Sequence, residues 1–167
     1  MNAPMTDRMR FTILGCGSSP GVPRLTGDWG ACDPSNPKNR RLRASMLVER
    51  IDVKGQRTVG VIDTGPDFRQ QMVNAEVRRL DAVVYTHAHA DHIHGIDDLR
   101  GYWHEHRKLI DVYLDDLTSK RLHQGFDYCF ETPSGSYYPP ILREHRITHL
   151  LPFEVNGPGG IIKFEPL

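Results

Sequence analysis

A short run of β-branched and aromatic residues, 81–86 (DAVVYT), breaks directly into Thr86-His87-Ala88-His89-Ala90-Asp91-His92-Ile93-His94-Gly95. Val, Tyr and Thr suit a pleated strand, so the run predicts one and fixes where the polar cluster emerges, at the strand's C-terminal end. In extended chain, side chains two residues apart point the same way, so His87 and His89 can grip one metal ion together. A turn into helix then re-aims Asp91 and His92 toward a second, adjacent position. Imidazole suits zinc-, iron- and manganese-type ions, and a carboxylate hardens a site and holds water. Alanines at 88 and 90 leave room around the ligands. Two ions about 3.5–4 Å apart can share a hydroxide and stabilise both the attacking and leaving oxygens of a hydrolysis. Four of the chain's nine histidines fall within residues 87–94, a concentration that an accidental histidine-rich loop does not explain.

The remaining sequence reads as ordinary globular protein. A length of 167 residues predicts one domain, or part of a larger one, and 38% apolar with 25% charged residues excludes a disordered tail or coiled coil. Lys plus Arg (21) balances Asp plus Glu (21), which removes net charge as an argument for nucleic-acid or membrane binding. No apolar run approaches the roughly 20 residues of a membrane span, and the N-terminus shows no secretory pattern. Cys16, Cys32 and Cys129 have no C-x-x-C spacing; an odd count of this kind predicts idle or buried thiols in a reducing, cytoplasmic setting. Strands are predicted over 9–14, 44–51 and 58–63, the last two flanking a turn at Lys54 and Gly55. A helix runs from Pro66 through Ala75, favoured by proline in its first turn. After the cluster come a helix over 96–107, a strand over 110–114 and a helix capped by Asp116 that runs through His123. An aromatic and proline-rich loop over 126–146 precedes strands near 147–151 and 161–165. Paired strands followed by alternation with helices predict a mixed α/β (α+β) architecture. The Gly-, Pro- and Asp-rich stretch Gly15–Arg43 shows no periodicity, and loops this long are usually functional.

Three of these segments carry a family resemblance. The H-x-H-x-D-H motif, His87 to His92, resembles the signature of the metallo-β-lactamase fold superfamily of metallohydrolases. Val61-Ile62-Asp63-Thr64-Gly65 resembles the strand-terminal aspartate motif that precedes it there. Gly15-Cys16-Gly17-Ser18-Ser19-Pro20-Gly21-Val22-Pro23 resembles the glycine-rich opening of the branch that includes ribonuclease Z and the phosphoribosyl cyclic phosphate phosphodiesterases. The resemblance implies an αββα sandwich of which this chain supplies the N-terminal half. It implies that His87 and His89 bind one divalent ion and Asp91 and His92 a second, the pair being zinc or manganese. Asp91 would also accept a proton near the attacking hydroxide, and Asp63 would orient a ligand histidine. The implied activity is hydrolysis of a phosphodiester of the nucleotide or cyclic phosphate class by a hydroxide held between two metals. A small phosphorylated or nucleotide-like substrate, or RNA, would be the partner, with no membrane involved. The same motif serves thioesterases and other hydrolases, and a non-catalytic metal-binding fragment is the alternative from outside enzymology. The superfamily normally adds a histidine, a metal-bridging aspartate and a final histidine further along. Nothing after Gly95 resembles these in context, and His145 and His149, in EHRITHL, lack the expected surroundings. Residues 1–167 are therefore expected to be one domain truncated before its downstream ligands. Cyclic phosphodiesterase relatives carry a cysteine-rich zinc site in the opening loop, which Cys16 and Cys32 alone do not reproduce.

Weaker signals each have a bland counterpart. Gly15–Gly21 can present backbone N–H groups to a phosphate or simply turn the chain. Lys38, Arg40, Arg41 and Arg43 are a solvated cluster or a phosphate contact. His94 either faces substrate or is incidental. Asp97, Asp98 and Arg100 suit a helix start, and Trp103, His104 and His106 suit packing against it. Tyr128, Phe130, Tyr137 and Tyr138 can stack a nucleobase or pack.

Overall fold

The computed structural model describes residues 6–166. Residues 1–5, part of the stretch in which no secretory pattern is read, and Leu167 lie outside the described residues. Six strands form one sheet in the order β1 (Arg8–Gly15), β2 (Ser45–Ile51), β3 (Arg57–Ile62), β4 (Ala82–Val84), β5 (Ile110–Leu114) and β6 (Leu142–Arg146). The first two pairings are antiparallel and the last three parallel. The parallel crossovers are made by α1 (Phe68–Asn74), by α2 (Ala90–Ile93) with α3 (Arg100–His106), and by α4 (Asp116–Phe126). Two further strands, β7 (Phe153–Val155) and β8 (Ile162–Phe164), pair as a separate antiparallel hairpin.

Strand alternation sorts the core into two layers. Leu47, Val59, Val61, Val83, Val112 and Leu114 face one side, where Phe68 and Met72 of α1 and Leu122 of α4 bury against them. Val48, Ala82, Val84 and Tyr113 face the other side and meet Val155 and Ile162 of the hairpin. Helix, sheet and second sheet thus stack in the order expected for three layers of an αββα sandwich. Strands β3, β4 and β5 are parallel, so their C-terminal ends lie together at one end of the sheet, and the histidine cluster leaves from there.

Several boundaries depart from the sequence expectations for identifiable reasons. The strand expected over 81–86 pairs on both sides only at Ala82–Val84, because Thr86 turns away to bond Asp63. The cap of α4 is Asp115, whose side chain accepts from the Thr118 N–H at 2.7 Å; Asp116 instead pairs with Arg146. The strand expected at 147–151 lies five residues earlier as β6, inside the stretch read as loop. LREHR reads as polar because this is an edge strand whose side chains form ion pairs: Arg143 and His145 with Asp111, and Glu144 with His123. Ile147 follows the strand and Leu150 adopts a left-handed turn, φ 61°. The helix expected over 96–107 begins as a 3-10 turn, Ile96–Leu99, before α3. The long opening segment holds one 3-10 turn, Pro37–Asn39, and is tied back on itself by Gly17 N–H to Leu42 O and by reciprocal bonds between Val22 and Arg41.

Candidate metal centre

The turn after β3 and the segment after β4 are built around one buried carboxylate. Asp63 is 3% exposed and sits in the left-handed region, φ 62°, which non-glycine residues adopt at a cost, aspartate less than most. That conformation turns its side chain under the end of β4 while its own N–H still donates to Val84 O. Asp63 Oδ1 accepts from the Thr86 N–H at 2.8 Å. Asp63 Oδ2 accepts from the Thr86 hydroxyl and from His92 Nδ1, each at 2.7 Å.

Backbone bonds then clamp α2 onto this turn: Thr64 N–H donates to His92 O, and Gly95 N–H donates to Thr64 O. The approach is so close that a Cβ on Gly65 would collide with Asp91 O, and one on Gly95 with Gly65 O. Beneath the clamp the Thr64 and Tyr85 hydroxyls bond each other at 2.8 Å. Burial pushes the Tyr85 hydroxyl far above its ordinary pKa, with the Thr64 bond opposing, so the pair stays neutral.

The expected donors converge as two pairs. His87 Nε2 and His89 Nδ1 lie 3.1 Å apart. His92 Nε2 and Asp91 Oδ2 lie 3.4 Å apart. Two donors on one tetrahedral ion at about 2.0–2.1 Å stand about 3.3 Å from each other, so both pairs have chelating separation. The His87 and His92 rings are neighbours, with centroids 4.0 Å apart. His92 donates its Nδ1 proton to a buried carboxylate, which leaves the Nε2 lone pair directed outward, the arrangement that raises the basicity of a liganding histidine. The donor chemistry therefore fits divalent ions, with two positions per ion supplied. Among the described residues, no group of three or more His, Cys, Asp or Glu side chains is arranged to hold a metal ion.

Other candidates lie elsewhere. His145 stacks on Tyr113 in the second-sheet layer and bonds Asp111, and His149 is exposed in a turn. His94 is exposed and edge-on to Phe126. The N–H groups of Gly17, Gly21 and Val22 are spent on Leu42, Ser18 and Arg41 carbonyls, which leaves the opening turn little of a phosphate nest. Arg40 covers Trp29, Arg41 bonds Cys16 Sγ, and Arg43 bonds Asp67 and Ser19 O, so three of the four basic residues brace the loop. Trp103, Tyr128 and Phe130 pack against the core, whereas Tyr137 and Tyr138 stand in solvent. All three cysteines are free; Cys129 is buried, and that burial pushes its thiol up to about 12, but Cys16 is exposed. Sequence reasoning assigned no role to Thr64, Tyr85 or Thr86. The available signal was a hydroxyl directly before the first motif histidine and another directly after Asp63.

Residues 59–166 match a family model described as the beta-lactamase superfamily domain. A curated protein of Porphyromonas gingivalis (strain ATCC BAA-308 / W83) named octanoyltransferase is 37% identical over 150 residues, 88% of this chain and 28% of its own length. The crystal structure of a diphosphatase from the PhnP family aligns with TM-score 0.71 and 35% identity, over 90% of this chain and 55% of that one. Zinc-bound PqqB from Methylobacterium extorquens shares the fold, with TM-score 0.60 and 16% identity over 87% of this chain and 48% of that one. The chain thus spans just over a quarter of the curated relative's own length and about half of each of the solved ones.

Proposed function

This chain belongs to the beta-lactamase superfamily, and we propose that it is a metal-dependent hydrolase acting at phosphorus, on a phosphodiester of the nucleotide or cyclic phosphate class. The observation that carries the reading is the pair of chelating donor sets beside one buried carboxylate. His87 Nε2 and His89 Nδ1 would hold the first ion, and Asp91 and His92 Nε2 the second. Two zinc or manganese ions would supply a water of lowered pKa and neutralise charge on the phosphoryl oxygens. Asp63 keeps the His92 ring in the tautomer that offers Nε2, and the Asp91 carboxylate would accept the proton released by the attacking water. The exposed His89 and the half-buried Asp91 and His92 leave the centre open to a substrate as small as a nucleotide or as long as RNA. The diphosphatase relative supports chemistry at phosphorus. Residues 1–167 act as one domain that fills two positions on each ion, with the remaining donors drawn from outside these four residues. The free cysteines support a reducing, cytoplasmic setting, and no helix among the described residues is long and apolar enough to cross a membrane.

The octanoyltransferase relative favours a second reading, hydrolysis of an acyl ester or thioester. Both are tested together. The chain is loaded with Zn²⁺ or Mn²⁺ and offered bis(p-nitrophenyl) phosphate, a nucleoside cyclic phosphate, a diphosphate-bridged dinucleotide and an octanoyl thioester. The expected result is turnover of the phosphorus esters, with His92→Ala removing one of two bound ions and the activity, and His145→Ala changing neither. Turnover of the thioester alone establishes the second reading. One weakly held ion, no turnover and no effect of His92→Ala establish a non-catalytic metal-binding module.

A further inference from the structure

We infer that Thr86 is a positioning residue that carries the influence of Asp63 to the other donor pair by fixing the tautomer of His87. The argument is one of counting protons. The Thr86 hydroxyl has one hydrogen, and a carboxylate only accepts, so the 2.7 Å contact with Asp63 Oδ2 commits that hydrogen to Asp63. Thr86 Oγ1 also lies 3.0 Å from His87 Nδ1. With its hydrogen spent, the hydroxyl can only accept there, so His87 Nδ1 carries the ring proton and donates. Neutral imidazole holds one N–H, which leaves His87 Nε2 with a lone pair facing His89 Nδ1 at 3.1 Å. In the metal-free protein His89 Nδ1 donates to that lone pair. An ion held by this pair would need both lone pairs, so the His89 proton would then sit on its exposed Nε2.

Asp63 therefore governs both halves of the centre, His92 directly and His87 through one hydroxyl. The Thr86 N–H bond to Asp63 Oδ1 holds the residue in place while it does so. A methyl group in place of the hydroxyl removes both the acceptor for His87 and one of the three donors to Asp63.

The test has two arms. The tautomer arm needs no metal: long-range ¹H–¹⁵N spectra of the full metal-free chain, which distinguish the neutral tautomers and the cation from one another, recorded in alkaline buffer on the neutral form. Wild type and Thr86→Ser are expected to show His87 as the Nδ1–H form, and Thr86→Val to show Nε2–H or a mixture. The metal arm rests on the function proposed above: competition with a chromophoric chelator for Zn²⁺, in which Thr86→Val loses about 10–100-fold in affinity at one ion and Thr86→Ser recovers it. Should Thr86→Val fail to fold, Thr86→Ala carries the same comparison. An unchanged His87 tautomer in Thr86→Val, or a Thr86→Ser that behaves like Thr86→Val in either arm, overturns the inference. If the wild-type chain binds no zinc, the proposed function fails, and the tautomer arm still decides the role of Thr86.

Discussion

Replacing Asp63 separates three contributions that the native residue combines: charge, hydrogen bonding and backbone conformation. Asp63→Asn keeps the backbone, because asparagine tolerates the left-handed region that φ 62° demands. Its amide oxygen can still accept from the Thr86 hydroxyl and His92 Nδ1 at the Oδ2 position, but its NH2 then faces the Thr86 N–H, donor against donor. One charge-assisted bond is lost, worth about 1.5–3 kcal/mol. Asp63→Ala loses all three bonds and adds the left-handed cost of a residue without a local acceptor, about 1–2 kcal/mol. The two variants should therefore differ in urea unfolding of the metal-free chain, with alanine the less stable by at least that backbone cost. Zinc affinity should fall about 10–100-fold in Asp63→Ala, or about 1.4–2.8 kcal/mol, and less in Asp63→Asn. Chelator competition at fixed pH measures it. Affinities of both variants indistinguishable from wild type, in chains that remain folded by circular dichroism, would refute the idea that this carboxylate orients the ligands.

Gly65→Ala and Gly95→Ala should each destabilise the chain by about 1–3 kcal/mol, since the added Cβ meets a backbone oxygen that cannot yield. Denaturant melts check this, and Gly101→Ala, where a Cβ meets open space, is the control expected to be neutral or better. On the β5–β6 face, burial raises the Asp111 pKa, but the bonds from Arg143 and His145 outweigh it and hold the carboxyl below its ordinary value of 3.8. A carboxylate with a depressed folded pKa adds stability above the unfolded value and loses it as pH falls through the folded one. The acid limb of stability below about pH 4 should thus flatten in Asp111→Asn relative to wild type, as followed by acid titration of the far-ultraviolet signal. Thiol titration with an aromatic disulfide should find Cys16 fast, Cys32 slower and Cys129 reactive only after unfolding, because burial pushes the last to about 12.

Why some of this was readable in advance and some was not follows from where the determining contacts lie. The apolar runs around Leu47-Val48 and Val83-Val84 are local features that hydrophobicity reports directly, since both faces of these strands are covered, and β2 to β5 follow them. Strand β6 obeys the same alternation, but its partners are the charges of Asp111 and His123, which sequence polarity counts as solvent. Asp115 and Asp116 are equally plausible caps on composition. Only the geometry that brings Asp115 Oδ1 to the Thr118 N–H separates them.

The candidate centre divides along the same line. The candidate donors sit in one six-residue window, so their types and spacing were visible, and the structure brings them together as two pairs at separations that suit chelation. What would make those pairs competent lies 23 to 29 residues away in the chain, in the bonds that Asp63 accepts from Thr86 and His92. A motif specifies which nitrogens are available, whereas a ligand requires that a particular nitrogen be without its proton. That second property is set by acceptors on the ring's other side, and here a single buried carboxylate and one hydroxyl provide them for two of the three motif histidines. His89 has no such fixed acceptor, is exposed, and can move its proton to solvent without breaking a buried bond. Of the three rings it is the one left to adjust when an ion arrives, so His89→Ala should weaken the first ion while leaving the His92 tautomer as it stands.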